Sequence, residues 1–251
     1  LSVLSRGLVS GKICAYDLHG SLIALYKNIQ SQPQNVHGHL KTLYEEYENC
    51  KGVEVNRKPE TLEEAMKSKE NYYYWIRKKF NTEKEETPKR SATFIFLNKM
   101  CFRGVYREGP NGFNVPYGHY KKTPAMITVG ELTQVSKLIK DVHFKQCDFR
   151  EAFKNMREGD FVYLDPPYAP ETKTSFVGYT KDGFGEKDHD ELFDLTKKSG
   201  VEFVMSNANV NKVTNAFSDY TIKELKARRA INSKNPESMT TEVLVASSIQ
   251  K

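Results

Sequence analysis

The chain has 251 residues, with 38 Lys+Arg against 32 Asp+Glu and 38% hydrophobic residues, enough to bury a core as one large domain or one domain with a smaller companion. No run of about eighteen apolar residues occurs, and the first residues lack a charged segment followed by an apolar one, so neither a membrane span nor a signal peptide is expected. The formal net charge of +6 suits a polyanionic partner without identifying one.

Residues 1–8 read as the middle of an element, which suggests that natural sequence precedes Leu1. After Gly11-Lys12 the apolar run 13–16 closes at Asp17, and Leu18, Leu22, Ile23, Leu25 and Tyr26 follow at helical spacing: strand, acidic turn, helix. Cys14, Cys50, Cys101 and Cys147 are widely separated, with no CxxC pair and no His at ligand spacing. They read as reduced thiols of a cytoplasmic protein, with no zinc knuckle and no other metal site.

From 51 to 90 the composition turns charged and polar, with Tyr72-Tyr73-Tyr74-Trp75 and Phe80 set among lysines and arginines; it reads as mostly helix, mobile near 82–88. A buried helix continues over 92–100. Glycines and prolines make 101–122 loop-like, and Asn111-Gly112 between Val105-Tyr106 and Phe113-Asn114-Val115 predicts a hairpin. Further on, 127–139 is an amphipathic helix, 142–144 and 161–164 are strands, 187–198 a helix, 202–205 a strand, 210–217 a helix and 243–246 a closing strand. Such alternation predicts an α/β fold with a mostly parallel sheet. Residues 51–122 break it and form the candidate inserted domain, between 1–50 and 123–251.

The most informative tetrapeptide is Asp165-Pro166-Pro167-Tyr168, at the end of strand 161–164. Ligands of open α/β sheets bind beyond the carboxyl ends of strands. A site that makes an aromatic amine attack a methyl group must accept hydrogen bonds from its N–H groups. Asp165 offers a carboxylate for this and Pro166 a backbone carbonyl, Tyr168 offers a ring for stacking, and Pro166 and Pro167 stiffen the loop. The plain alternative is a Pro-Pro turn that only terminates the strand.

With these residues in view the chain resembles the Dam-type DNA adenine N6-methyltransferases, of the group in which the recognition domain precedes the Asp-Pro-Pro-Tyr motif. The resemblance covers nearly the whole chain. It rests also on Leu97-Asn98-Lys99-Met100-Cys101-Phe102-Arg103-Gly104-Val105-Tyr106-Arg107 and Phe113-Asn114-Val115-Pro116-Tyr117-Gly118-His119-Tyr120, which are similar to that family's recognition segment. It implies a Rossmann-like methyltransferase sheet with an inserted, mostly helical DNA-recognition domain carrying a β-hairpin. It further implies S-adenosylmethionine as cofactor, S-adenosylhomocysteine as product, no metal, and double-stranded DNA as partner, bound by a monomer or weak dimer in the cytoplasm of the cell or host.

By the same resemblance Asp165, Pro166, Pro167 and Tyr168 are catalytic, and Asp17, Asp148, Phe149 and Asp165 bind cofactor. Asp17 would meet the ribose hydroxyls, Asp148 the adenine amine and Phe149 the adenine ring. Arg103, Arg107, Asn114, Pro116, Tyr117, His119, Tyr120, Lys121 and Lys122 are implied for DNA, with arginine suited to guanine and the two lysines to phosphate. His119 stands where relatives commonly carry arginine. Ser175, Phe176 and Tyr179 fall in the loop expected to close over the flipped base.

Ser206-Asn207 ends another strand, either lining that pocket or capping a helix, and Arg228, Arg229 and Lys234 form a further basic patch. The family opens with a short basic segment and a glycine-rich loop, neither of which stands in this chain, so truncation or disorder upstream is expected. The activity implied is base flipping and adenine methylation in a short palindrome, GATC for this group. Alternatives are a catalytically inactive DNA-binding relative, or a methyltransferase for another amine in RNA or a protein glutamine.

Overall fold

The computed structural model describes residues 1–170, 183–228 and 239–247, and its contacts divide into two units, Leu1–Asp148 and Phe149–Lys251. The first runs α1 (Ser2–Ser5), β1 (Ile13–Asp17), α2 (Gly20–Ser31), α3 (Pro33–Asn49), α4 (Leu62–Met66), α5 (Lys69–Thr82), α6 (Pro88–Met100), β2 (Glu108–Gly109), β3 (Gly112–Phe113), α7 (Val129–Leu138) and β4 (Val142–Gln146). β1 and β4 pair in parallel with Asp17 opposite Gln146, so both strands end at one edge. A parallel pair needs a long crossover, and everything from α2 to α7 serves as this one.

Side-chain caps start several of these helices. The His19 ring caps α2, its Nδ1 accepting from Leu22 N–H at 2.9 Å. Ser68 caps α5, and Thr128 with Glu131 forms a reciprocal capping box on α7. The core joins Val36, Leu40 and Tyr47 of α3, Tyr72, Tyr73 and Ile76 of α5, Phe96, Leu97 and Met100 of α6, Leu132 of α7 and Val142 of β4. Residues from 51–122 therefore share one core with residues before and after them. Arg90 is buried because its guanidinium lies over the Phe80 ring and donates to the Phe80 and Glu83 carbonyls, closing the end of α5.

The mostly helical stretch expected over 51–90 is met by α4, α5 and the start of α6, with its first residues as the exception, and the hairpin needs correction. Residues 51–61 are not helical: Asn56 N–H donates to Asn71 Oδ1 at 2.6 Å and Ser68 Oγ to Glu54 O at 2.6 Å, which pins this segment against the start of α5. The hairpin exists, but its turn is Pro110-Asn111 and its strands are two residues each, Glu108 facing Phe113 and Gly109 facing Gly112. Gly112, at φ +91°, belongs to the strand side of the turn; Asn114 N–H still donates to Arg107 O at 3.1 Å, and side chains of α5 hold the Phe113 and Val115 carbonyls.

The second unit runs α8 (Phe149–Phe153), β5 (Phe161–Leu164), α9 (Glu186–Lys198), β6 (Glu202–Ala208), α10 (Asn211–Ala216), β7 (Thr221–Arg228) and β8 (Met239–Ala246). Its described strands lie in the order β5-β6-β8-β7. β5 is parallel to β6, whereas β8 is antiparallel to both its neighbours, so this sheet is mixed and not mostly parallel as expected. β7 was not expected at all. Its Thr-Ile-Lys-Glu-Leu-Lys-Ala-Arg sequence is too charged for a core strand, which suits the sheet edge that it occupies. Phe193, Phe203, Met205, Val213, Phe217, Val243 and Val245 form the core here. No helix among the described residues is long and apolar enough to cross a membrane.

His189 of α9 is wholly buried between Phe184 and Phe193, and neither ring nitrogen has a hydrogen-bond partner among the described residues. Burial, reinforced by Lys212 and opposed by Asp188 and Asp190, holds its pKa below the ordinary 6.5. The unfolded chain then takes up a proton that the folded chain resists, so the contribution of His189 is complete above pH 6.5 and is lost as pH falls below it. Denaturant titrations at pH 7.5 and 5.5 should show His189→Leu gaining stability relative to the parent at the lower pH.

Candidate active site and nucleic-acid interface

The ladder that sets Leu164 opposite Met205 makes Asp165 and Ser206 the next residues beyond it. Ser206 Oγ donates to Asp165 Oδ1 at 2.7 Å, and Tyr163 Oη donates to Ser206 Oγ at 3.2 Å. Asp165 itself is exposed, while Pro166, Pro167 and Tyr168 are half-buried. The Tyr168 hydroxyl donates to Glu242 Oε2 of β8 at 3.3 Å. Burial raises the pKa of this phenol; a hydrogen bond with Ser206 opposes the shift, and the charges of Glu242 and Asp165 add to it, so the group is neutral at pH 7.

The far end of the loop is held by Asn207, which is wholly buried. Its Oδ1 accepts from Ala169 N–H at 2.8 Å and from Ala208 N–H at 2.9 Å. Ser206 and Asn207 thus brace the first residue of the tetrapeptide and the residue just after it. Neither of the two sequence readings for this pair, pocket lining or helix cap, foresaw the brace. The available signal was a polar dipeptide closing an otherwise apolar strand.

In the first unit the shared carboxyl edge of β1 and β4 carries two acids. Asp17 is exposed, its Oδ1 accepts from His19 N–H at 2.7 Å and its carbonyl accepts from Cys147 N–H at 3.1 Å. Asp148 stands two residues beyond Gln146, the partner of Asp17 in the ladder. Phe149 opens the second unit, where Arg150 lies 4.4 Å over its ring and Phe184 is 5.7 Å away. Arg150 is in turn held by Asp188 at 2.8 Å and Glu191 at 2.7 Å.

Residues 101–122 make a surface with alternating burial. Phe113, Val115 and Tyr117 point inward, and Asn114, Pro116 and His119 are exposed. Tyr117 is therefore corrected from a DNA contact to a core residue: its ring packs on Tyr73 and its hydroxyl bonds that of Tyr47. Arg107 is exposed, with Nε donating to Asn114 Oδ1 at 2.7 Å, so the terminal nitrogens remain as a donor edge, Nη2 reaching Asn114 O only at 3.5 Å. Lys121 and Lys122 are exposed, and the Tyr120 hydroxyl donates to Cys101 O at 2.8 Å.

Arg103 (φ +58°) and His119 (φ +46°) are the non-glycine residues with left-handed backbones among the described residues, and both lie in this surface. Such conformations persist where surroundings over-determine them and concentrate at functional sites. Gly118 explains part of the constraint. A Cβ there would come within 2.9 Å of the Met100 and Cys101 carbonyls, against which the chain is pressed by the bond from Gly118 N–H to Met100 O. Ser175, Phe176, Tyr179, Arg229 and Lys234 lie outside the described residues.

The family model for D12 class N6 adenine-specific DNA methyltransferases matches residues 9–231. The chain is 34% identical over 231 residues to a type II methyltransferase, M.MjaIII, of Methanocaldococcus jannaschii, covering 89% of this chain and 75% of the relative. It is 33% identical over 173 residues to a DNA adenine methylase of Haemophilus influenzae, 66% of this chain and 59% of the relative. A retron Ec67 DNA adenine methylase of Escherichia coli is 28% identical over 235 residues, 92% of this chain and 73% of the relative.

Replacing Asn207 by alanine removes the acceptor of two backbone N–H groups while leaving Ser206 and Asp165 in place. Loss of a buried acceptor costs about 1–3 kcal/mol. Thermal and denaturant unfolding of Asn207→Ala should show a loss in that range.

Proposed function

Because this chain belongs to the D12 class N6 adenine-specific DNA methyltransferase family, we propose that it transfers a methyl group from S-adenosylmethionine to the N6 amine of adenine in a short duplex palindrome, GATC. What supports this reading most is the exposed Asp165 carboxylate, held by Ser206 at the carboxyl end of a parallel strand and followed by two prolines and a braced tyrosine.

The cofactor fits the donor set of the first unit. Two carboxylates at the shared end of adjacent parallel strands match a ligand that offers both a diol and an exocyclic amine. Asp17 would hold the ribose hydroxyls and Asp148 the adenine amine, and Phe149, the first residue of the second unit, would meet the purine. When bound, S-adenosylmethionine supplies a methyl group activated by its sulfonium.

Asp165 Oδ and the Pro166 carbonyl accept from the two N–H groups of the target amine. As nitrogen attacks the methyl carbon, the carbon–sulfur bond would break and a neutral thioether, S-adenosylhomocysteine, would leave. The Asp165 carboxylate stabilises the positive charge that grows on nitrogen more than it stabilised the neutral amine, and one N–H proton is then lost to solvent. Tyr168, neutral and tethered to Glu242, offers its ring to the base. A duplex hides the amine in its stack, so the adenine is flipped out at a cost of a few kcal/mol. The segment 51–122 acts as the recognition domain, with Arg103, Arg107, Asn114, Pro116, His119 and Tyr120 facing DNA and Lys121 and Lys122 on phosphates, the latter giving salt-dependent affinity without sequence information.

Tritium transfer from labelled S-adenosylmethionine to unmethylated DNA, with digestion to map the base, tests the reading directly. Label on adenine in GATC is expected. Absence of label despite tight duplex binding would replace this reading with a DNA-binding protein that does not methylate. Asp165→Ala should lower turnover by about a thousandfold or more while duplex affinity stays unchanged. Asp17→Ala should weaken S-adenosylmethionine binding in calorimetry by about tenfold, the scale of one charge-assisted hydrogen bond.

A further inference from the structure

From Phe113 to Tyr117 the chain is extended, inward and outward side chains alternating, yet only its first residue belongs to a strand. Its outward residues bond the preceding segment, Asn114 N–H donating to Arg107 O at 3.1 Å and Pro116 O accepting from Phe102 N–H at 2.8 Å, whereas the inward residues Phe113 and Val115 turn backbone groups to the side chains of α5. Asn81 Nδ2 donates to Phe113 O at 2.9 Å, and Phe113 N–H donates back to Asn81 Oδ1 at 2.9 Å. Tyr73 Oη donates to Val115 O at 2.8 Å and Arg77 Nη1 to the same oxygen at 3.0 Å.

The spacing explains how a helix does this. Residues 73, 77 and 81 lie one turn apart on a single face, and four residues of helix rise about 6 Å. Two residues of extended chain span about 6.6–6.8 Å. One turn of α5, from Arg77 to Asn81, therefore matches the step from Val115 to Phe113. Gly112 is part of the fit, since a Cβ there would stand 2.6 Å from Asn81 Oδ1. The Arg77 guanidinium also rests 4.6 Å from the centre of the Tyr74 ring, which fixes it from a second side.

We propose that Tyr73, Arg77 and Asn81 are positioning residues that set the register of 113–117 and thereby decide how strictly the protein discriminates between DNA sequences. The proposal rests on the reading that 101–122 contacts DNA. Asn114 and Pro116 are exposed because Phe113 and Val115 are locked inward, and Arg107 takes its direction from Asn114. A chain tethered through both backbone groups of Phe113 and through the Val115 carbonyl, with Asn114 and Pro116 bonded to the backbone of Arg107 and Phe102, is unable to slide by one residue. A slip of that size would turn Asn114 into the core. Binding energy for the correct sequence is then not consumed in ordering the segment.

The test uses the full chain and duplexes carrying the sequence that the unaltered protein methylates, together with versions changed at single base pairs. Asn81→Ala, and the double variant Tyr73→Phe with Arg77→Met, should each raise KM for the correct duplex about tenfold and narrow the kcat/KM ratio between correct and altered duplexes about tenfold, the scale of one base contact. Saturating kcat on the correct duplex should change less than about threefold, since no reacting atom is touched. Should Asn81→Ala fail to fold, Asn81→Asp serves in its place, keeping the acceptor and losing the donor.

Arg107→Ala is the control for the underlying reading. If it narrows discrimination while the α5 variants do not, the inference about α5 is overturned and the DNA-contact reading stands. If Arg107→Ala also leaves discrimination intact, the assignment of 101–122 to DNA fails and the inference falls with it.

Discussion

An asparagine side chain carries the donor and the acceptor of a peptide group, and in this protein several segments that leave regular structure are held by such amides. Asn81 exchanges two hydrogen bonds with the backbone of Phe113. Asn207 accepts from two backbone N–H groups around the end of the Asp-Pro-Pro-Tyr loop. Asn71 takes Asn56 N–H and donates to Glu64 O, and Asn28 donates to Glu86 O and Ser91 Oγ. Buried backbone groups without a ladder partner are costly. Without these amides the connecting segments would have to move out to water.

This constraint separates two kinds of residue. The groups suited to meet a substrate, Asp17, Asp165, Arg107 and Asn114, are exposed, whereas their braces are more deeply placed: Ser206 and Asn207 behind Asp165, and Tyr73, Arg77 and Asn81 behind Asn114. A side chain held by packed supports reaches its target without first losing rotamer freedom. The same logic governs Tyr168, whose hydroxyl is tied to Glu242 while the ring is left partly open.

Six buried tyrosines stand among the aliphatic residues of the first unit's core. Tyr47 bonds Tyr117, Tyr72 bonds Glu46, Tyr73 bonds the Val115 carbonyl and Tyr106 bonds Glu108. Each buries a large ring and places its polar tip on a loop or on a surface carboxylate. Burial holds these phenols well above the ordinary tyrosine range, and pushes Tyr44 up to about 12, so the tips remain neutral donors across physiological pH. The aromatic run Tyr72-Tyr73-Tyr74-Trp75 therefore links the core to the segment 113–117, a role that its composition alone did not reveal.

Local pattern was sufficient for much of the chain. The strand ending at Asp17, the helix after it, the strands at 142–146 and 161–164 and the helices near 129–138 and 186–198 follow from hydrophobic period and caps, because those signals are contained within a few residues. The same is true of Asp165-Pro166-Pro167-Tyr168, whose placement after a strand is a local fact. What only tertiary structure decided is partnership. β7 is a strand because β8 lies beside it, the hairpin turns at Pro110-Asn111 with Asn81 of α5 bonded to Phe113, and Tyr117 turns inward to pack with Tyr47 and Tyr73. Ser206 meets Asp165, 41 residues away in sequence, through the register of one parallel ladder. Such contacts join residues whose separation carries no period, so their energy enters only once the chain has folded.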